Sequence, residues 1–268
     1  MTGKKDAIEY FADKNTPIAL AAKVLFYKGK KKKAVKALVK DQLKDGSWNN
    51  SLAETVQKLE LLLSLGMNMK DPHVAEAVEW IFWRQGLEHS YREVFPSPTE
   101  SEMKGHFALP TGEKLPSRVS YCHIYGELSL RVLLEAGAES DPRVTDMLAV
   151  FDNMVKSSRN GIYCCKNCTG SFWQVASRFP QYRMYVSDGL KTLRENRTGS
   201  GSWKGFPFYH ILQTLGRIKG LTAIEEFEYA LPRISRSRNI DGSWGKTFKN
   251  EKTFAVLSGI HALRIGEV

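Results

Sequence analysis

The tetrapeptide Asp45-Gly46-Ser47-Trp48 recurs as Asp241-Gly242-Ser243-Trp244, and Gly201-Ser202-Trp203 is a partial third copy. This recurrence constrains the chain more than any other feature, because a repeated supersecondary unit cannot bury its apolar face alone and gains stability only by stacking on its neighbours. A second theme overlaps the first. Asp71-Pro72-His73-Val74 returns as Asp141-Pro142-Arg143-Val144, each copy following a leucine-rich stretch that ends in glycine, at Gly66 and Gly137; further apolar stretches stop at Gly216 and at Gly266, the latter outside the residues the structure describes. Asp-Pro fits a helix start, since the carboxylate accepts from unpaired first-turn amides and proline suits the first turn, whereas glycine past the last turn fits a left-handed stop.

Between these marks the periodicity is helical. Val74, Ala77, Val78 and Ile81 fall on one face, while Leu52 to Leu65 is apolar nearly all round, so one helix of each pair is half exposed and the other buried. Strand signals are almost absent. The spacing predicts five helix pairs, beginning near Lys30, Asp71, Asp141, Tyr182 and Leu221, with an extra helix pair over 6–28. The expected fold class is all-α, an α/α toroid of about five to six hairpins with outer and inner helix rings, in a single domain over 1–268. An open helical solenoid is the competing arrangement. Residues 85–118 interrupt the second unit with Pro96, Pro98, Pro110 and Pro116 and read as a long loop insertion, the kind of segment that is often functional.

Composition sets the outer bounds. The 268 residues are 42% hydrophobic and carry 39 Lys+Arg against 29 Asp+Glu, a formal net charge of +10, which excludes a disordered chain. No apolar run reaches the roughly 18 residues of a membrane span. The polar start, Met1 to Asp6, lacks a secretory signal, so a cytoplasmic protein with reduced cysteines is expected. Lys28, Lys30, Lys31, Lys32, Lys33, Lys36 and Lys40 form a basic run. Such an edge attracts an anionic membrane surface or a diphosphate, though it equally describes a solvated helix start. No helix-turn-helix, zinc finger or RNA-binding aromatic signature accompanies it, so nucleic acid is not an expected partner.

Gln42 stands four residues before Gly46, and Trp48 two after it. This pattern resembles the QW motif of the terpenoid cyclase and protein prenyltransferase superfamily, the squalene–hopene cyclase-like α/α toroids. Arg238 and Arg197 stand in for the glutamine in the other copies, and the stretch from Gly242 to Leu263, with Leu257-Ser258-Gly259-Ile260, is similar to the last repeat of a prenyltransferase β subunit. The resemblance implies an isoprenoid or other apolar ligand in a central cavity. It implies structural roles for glutamine and tryptophan, the amide bonding to a neighbouring helix end and the indole stacking over it. The superfamily's catalytic motifs are missing. The chain has no adjacent aspartate pair for protonating an alkene and no aspartate-rich magnesium site, and the zinc-ligating histidine of prenyltransferases would fall near Lys252. An alternative reading is therefore a non-catalytic protein-binding or scaffold protein with a basic edge; a carbohydrate-active toroid would need a carboxylate pair that the sequence does not single out.

Candidate site residues follow from residue type and place. Tyr125, Trp173, Phe208 and Tyr209 sit at or near the starts of predicted inner helices and are the expected cavity aromatics, able to face a cation or a prenyl chain. Glu127 and His210 interrupt apolar inner helices, and Asp188 lies near the start of the stretch Val186 to Leu193; these three are the candidate acid–base groups, the bland reading being satisfied polar groups. Cys164-Cys165-Lys166-Asn167-Cys168 forms a cysteine knuckle, for which Cys165, Cys168, Cys122 and His106 make an expected zinc set, the bland reading being reduced thiols without metal. Substrate and protein partner are not written in the sequence.

Overall fold

The computed structural model describes residues 5–86, 94–104 and 107–265, and among them the secondary structure is helical, with isolated β-bridges only. Helix α1 (Pro17–Phe26) is followed by five pairs: α2 (Lys31–Val39) and α3 (Leu52–Ser64), α4 (Pro72–Trp83) and α5 (Arg118–Ala136), α6 (Pro142–Ser157) and α7 (Lys166–Ala176), α8 (Arg183–Glu195) and α9 (Phe208–Leu215), α10 (Leu221–Ser237) and α11 (Lys249–Ile265). The first member of each pair begins within two residues of its expected start. The expected helix pair over 6–28 is corrected: a three-residue 3-10 turn, Glu9–Phe11, precedes the single helix α1. Asp13 to Pro17 supplies a cap instead of a second helix, with Thr16 accepting from the Ala19 amide and proline in the first turn.

Local chemistry explains the boundaries. Asp71 and Asp141 accept from the amides of His73 and Arg143 at 3.0 and 2.9 Å and start α4 and α6. Gly137 ends α5 in the left-handed conformation, at φ 90°. Gly216 does not behave as expected from its place after α9. It is right-handed, and its lack of a side chain serves packing, because a Cβ there would come within 2.8 Å of the Gly259 backbone of α11.

Contacts divide the chain into two compact units, one of Asn15–Phe107 and Lys114–Lys156, the other of Met1–Lys14, Ala108–Glu113 and Ser157–Val268. In the first, α5 is buried along almost its whole length, and the fully enclosed Arg131 guanidinium is held by Glu60 at 2.8 Å and Glu135 at 2.9 Å. In the second, α9 packs on α11 and α7, with Ile211, Leu212, Phe227 and Val256 in its core.

The Gly-Ser-Trp turns are built alike in both units. Asp45 accepts from the Ser47 amide and hydroxyl, the Trp48 amide donates to Thr55 Oγ1 and its indole donates to Leu38 O at 2.8 Å. Asp241, Ser243, Trp244, Thr253 and Ile234 O repeat that set. Each indole thus ties its turn to the preceding amphipathic helix. Gln42 Nε2 donates to Gly46 O and His73 O, both at 2.9 Å, joining the first turn to the start of α4.

Candidate functional site

Helix α9 starts with three of the expected site residues in a row, Phe208, Tyr209 and His210. Its N-cap is Pro207, whose side chain can accept nothing. The missing acceptor comes from the long loop. Glu113 takes the Tyr209 amide at 3.1 Å on one carboxylate oxygen and the His210 amide at 2.9 Å on the other, and the Thr111 hydroxyl donates to it at 3.0 Å. A tight turn sets this carboxylate, with the Leu109 amide bonded to Glu113 O and the Gly112 amide to Leu109 O. Gly112 is left-handed at φ 75°, and a Cβ there would fall 2.2 Å from the Phe248 ring, so only glycine fits. Burial pushes the Glu113 carboxyl above its ordinary value, against the opposing pull of the two amides, Thr111 and the positive charge of Lys252.

Lys252 stands on α11 where the resemblance would put a zinc-ligating histidine. Its ammonium donates to Thr247 O at 3.0 Å and lies 5.6 Å from the centre of the half-buried Tyr209 ring. Arg233 covers the Phe208 ring from 4.7 Å, and Phe208 packs edge-on to Tyr209. Burial raises the Tyr209 hydroxyl, the Glu113 charge adds to that, and Arg233 opposes it. The His210 ring is buried against α7, where Gly170 leaves room for it; a Cβ on Gly170 would come within 2.6 Å of the imidazole. The start of α9 therefore combines aromatic faces, a half-buried carboxylate and a buried lysine. Glu113 escaped sequence reasoning because its only signal is a Thr-Gly-Glu turn inside a loop.

The other expected residues are carried by other helices. Trp173 is fully buried, donates its indole N–H to Gly161 O at 2.8 Å and packs on Gly189, the place of a structural tryptophan. Asp188 sits half exposed on α8 in an ion pair with Lys191 at 3.0 Å. In the first unit, Tyr125 is buried on α5, its hydroxyl accepting from Gln57 at 3.4 Å and raised well above the ordinary tyrosine value by burial and by Tyr121 beside it; Glu127, also on α5, is fully buried. Glu102 of the long loop mirrors Glu113: it accepts from the Leu52 amide at the start of α3, from Thr99 and from buried Arg84. Lys28, Lys30 to Lys33, Lys36 and Lys40 are exposed, three of them crowding the positive end of α2.

Of the expected zinc ligands, Cys165 and Cys168 come together, their Sγ atoms 3.4 Å apart, a spacing that one ion bound at about 2.3 Å from each would bridge. Cys122 lies in the first unit with its thiol on Met103 sulfur at 3.3 Å, and burial raises that thiol. His106 lies outside the described residues. A pocket of about 350 Å³ opens where the α7–α8 and α9–α10 connections meet, floored by Phe179, Val186, Leu190 and Ile218 and edged by Arg183 and Lys219.

Solved structures place this architecture. The type II terpene cyclase MstE from Scytonema, in a variant complexed with geranylgeranyl dihydroxybenzoate, matches with a TM-score of 0.60 over 96% of this chain and 86% of its own, at 12% identity. The apo cyclase matches with 0.58 over 95% and 86%, also at 12% identity, and a protein from Actinoplanes with 0.58 over 98% and 88%, at 15% identity. No family model and no curated protein matches the sequence. The chain has the all-α fold class of these cyclases, the α/α toroid. No helix of the described residues is long and apolar enough to cross a membrane.

Proposed function

We propose that this protein is a terpene cyclase-like toroid that binds an isoprenoid or another apolar small molecule. The observation that carries the reading is the likeness, over 96% of the chain, to a cyclase complexed with geranylgeranyl dihydroxybenzoate. The start of α9 supports it locally. The half-buried Tyr209 ring gives an isoprenoid chain a flat apolar contact, and Lys252 beside it supplies a cation for a polar or anionic head group. Cyclisation by alkene protonation is not part of the proposal, because that chemistry in the resembling family uses an aspartate pair and this sequence has none.

Titration of the protein with geranylgeranyl diphosphate and with geranylgeraniol, followed by native mass spectrometry, tests the reading. One ligand per chain, with affinity lowered at least tenfold in Tyr209→Ala while helicity is unchanged, is the expected result. Absence of saturable binding to either compound overturns it. The exposed lysines of α2 favour an extension of the same reading, contact with an anionic membrane from which such a ligand is drawn. Co-sedimentation with phosphatidylserine vesicles, weakened by charge reversal at Lys31, Lys32 and Lys33, is then expected.

A further inference from the structure

We infer that Cys165 and Cys168 are a redox-active dithiol that closes to an intramolecular disulfide. The assignment begins with their helix positions. Cys165 is the N-cap of α7 and Cys168 the third residue of that helix, the two places whose side chains meet at a helix start. The Cys165 side chain caps no amide; its sulfur instead lies 3.4 Å from that of Cys168. A disulfide closes at about 2.05 Å, so a small rotation of the two side chains suffices. The backbone between them is already fixed, because the Cys168 and Thr169 amides both donate to Cys165 O and the Thr169 hydroxyl donates there at 2.7 Å.

Exposure assigns the roles. Cys168 is fully buried and Cys165 is partly exposed, so an incoming disulfide meets Cys165 first and Cys168 resolves the adduct. The positive end of α7 stabilises negative sulfur at its N-cap. Cys164, exposed and left-handed at φ 57°, has its sulfur within 4.8 Å of Cys168 and is the rival partner. Zinc bound by these same sulfurs as thiolates is the competing state. A disulfide needs only the pair already in contact.

With a small-molecule disulfide such as oxidised glutathione as the oxidant, the exchange balances. Cys165 gives its proton to solvent and its sulfur attacks one sulfur of the oxidant, forming a mixed disulfide and releasing one thiolate, which takes up a proton. Cys168 then gives up its proton and attacks the Cys165 sulfur, expelling the second thiolate, which is protonated in turn. Two protein S–H groups become one S–S bond, and the oxidant is reduced by two electrons to two thiols.

The protein, purified without chelator, is treated with oxidised glutathione, its unreacted thiols alkylated and the product digested with trypsin without reduction. Cleavage after Lys166 separates the two cysteines, so the expected disulfide joins the peptide 160–166 to the peptide 167–178. Cys164→Ser is expected to keep this link. Cys165→Ser should abolish it, and Cys168→Ser should leave glutathione on Cys165, its displacement slowed at least tenfold. Circular dichroism confirms that each variant is folded. A link that survives in Cys165→Ser, a stable glutathione adduct on Cys165 of the parent protein, or one zinc per chain that blocks the reaction and is released by both Cys165→Ser and Cys168→Ser, would each overturn the assignment.

Discussion

The carboxylate of Glu113 receives the backbone amide of His210 at 2.9 Å across 97 residues of sequence. A loop residue thereby does for α9 what Asp71 and Asp141 do for their own helices. Replacing Glu113 by alanine leaves the Tyr209 and His210 amides without their acceptor at a mostly buried helix start, and a loss of about 2 kcal/mol is expected in urea denaturation. The pH dependence has a definite sign. Burial raises the Glu113 carboxyl in the folded state above its unfolded value, so its contribution to stability is full below the unfolded pKa and is lost as pH rises through the folded one. Glu113→Gln carries no such titration. The wild-type protein should therefore fare best relative to this variant in acid and lose ground as pH rises above about 4.5, which denaturation curves across that range would reveal.

Glu226 is the buried hub of the degenerate Gly-Ser-Trp copy. Its oxygens accept from Arg194 and Arg197 at 2.9 Å and from the Trp203 indole at 3.0 Å, where Trp48 and Trp244 use backbone carbonyls. Glu226→Ala strands the indole N–H, while the half-exposed guanidiniums can turn to water. A destabilisation of about 2–3 kcal/mol is expected from chemical denaturation. Glu226→Gln keeps an acceptor for Trp203 and should lose about half as much.

Asp241 titrates in the opposite sense. Partial burial raises its carboxyl, but Lys249 and the Ser243 hydroxyl and amide outweigh this and draw it down to about 2. Its contribution is present above the unfolded carboxylate value and disappears as pH falls through the folded one. Asp241→Asn should be less stable than wild type near neutrality, and the gap should narrow as pH falls from the unfolded carboxylate value toward 2. A gap as wide near pH 2 as at neutrality would refute the ionic role.

Gly161 tests the structural place of Trp173. It is left-handed at φ 67°, follows Asn160 at φ 52° in a two-residue turn, and a Cβ there would lie 2.0 Å from the Gly189 amide nitrogen. Gly161→Ala meets backbone that cannot give way and displaces the carbonyl that holds the Trp173 indole. A loss of at least about 2 kcal/mol, with a change in tryptophan fluorescence, is expected. Gly199, left-handed but open around its Cβ position, should tolerate alanine with a cost of only about 1 kcal/mol.

Helix identity, pairing and starts were legible because they rest on local chemistry. Asp-Pro caps and 3.6-residue periodicity act within a turn or two of chain, so α2, α4, α6, α8 and α10 begin where the pattern predicts. The 3-10 turn at Glu9–Phe11 escaped because helical periodicity over so short a span leaves its hydrogen-bond pattern open. The site was less legible. His210 and Tyr209 were identifiable as a polar residue and an aromatic at an inner-helix start, yet the carboxylate that defines their surroundings, Glu113, comes from a loop with no periodic signal.

By itself, the sequence determined the all-helical class, the repeated turn and the cysteine pair's three-residue separation, since each is encoded by residues close together in the chain. Only the tertiary structure decided that Glu102 and Glu113 cap α3 and α9 and that Glu226 replaces a backbone carbonyl for Trp203. Those relationships depend on packing that brings distant backbone amides, indoles and side chains within about 3 Å, a distance at which hydrogen bonds form and which residue spacing alone does not specify.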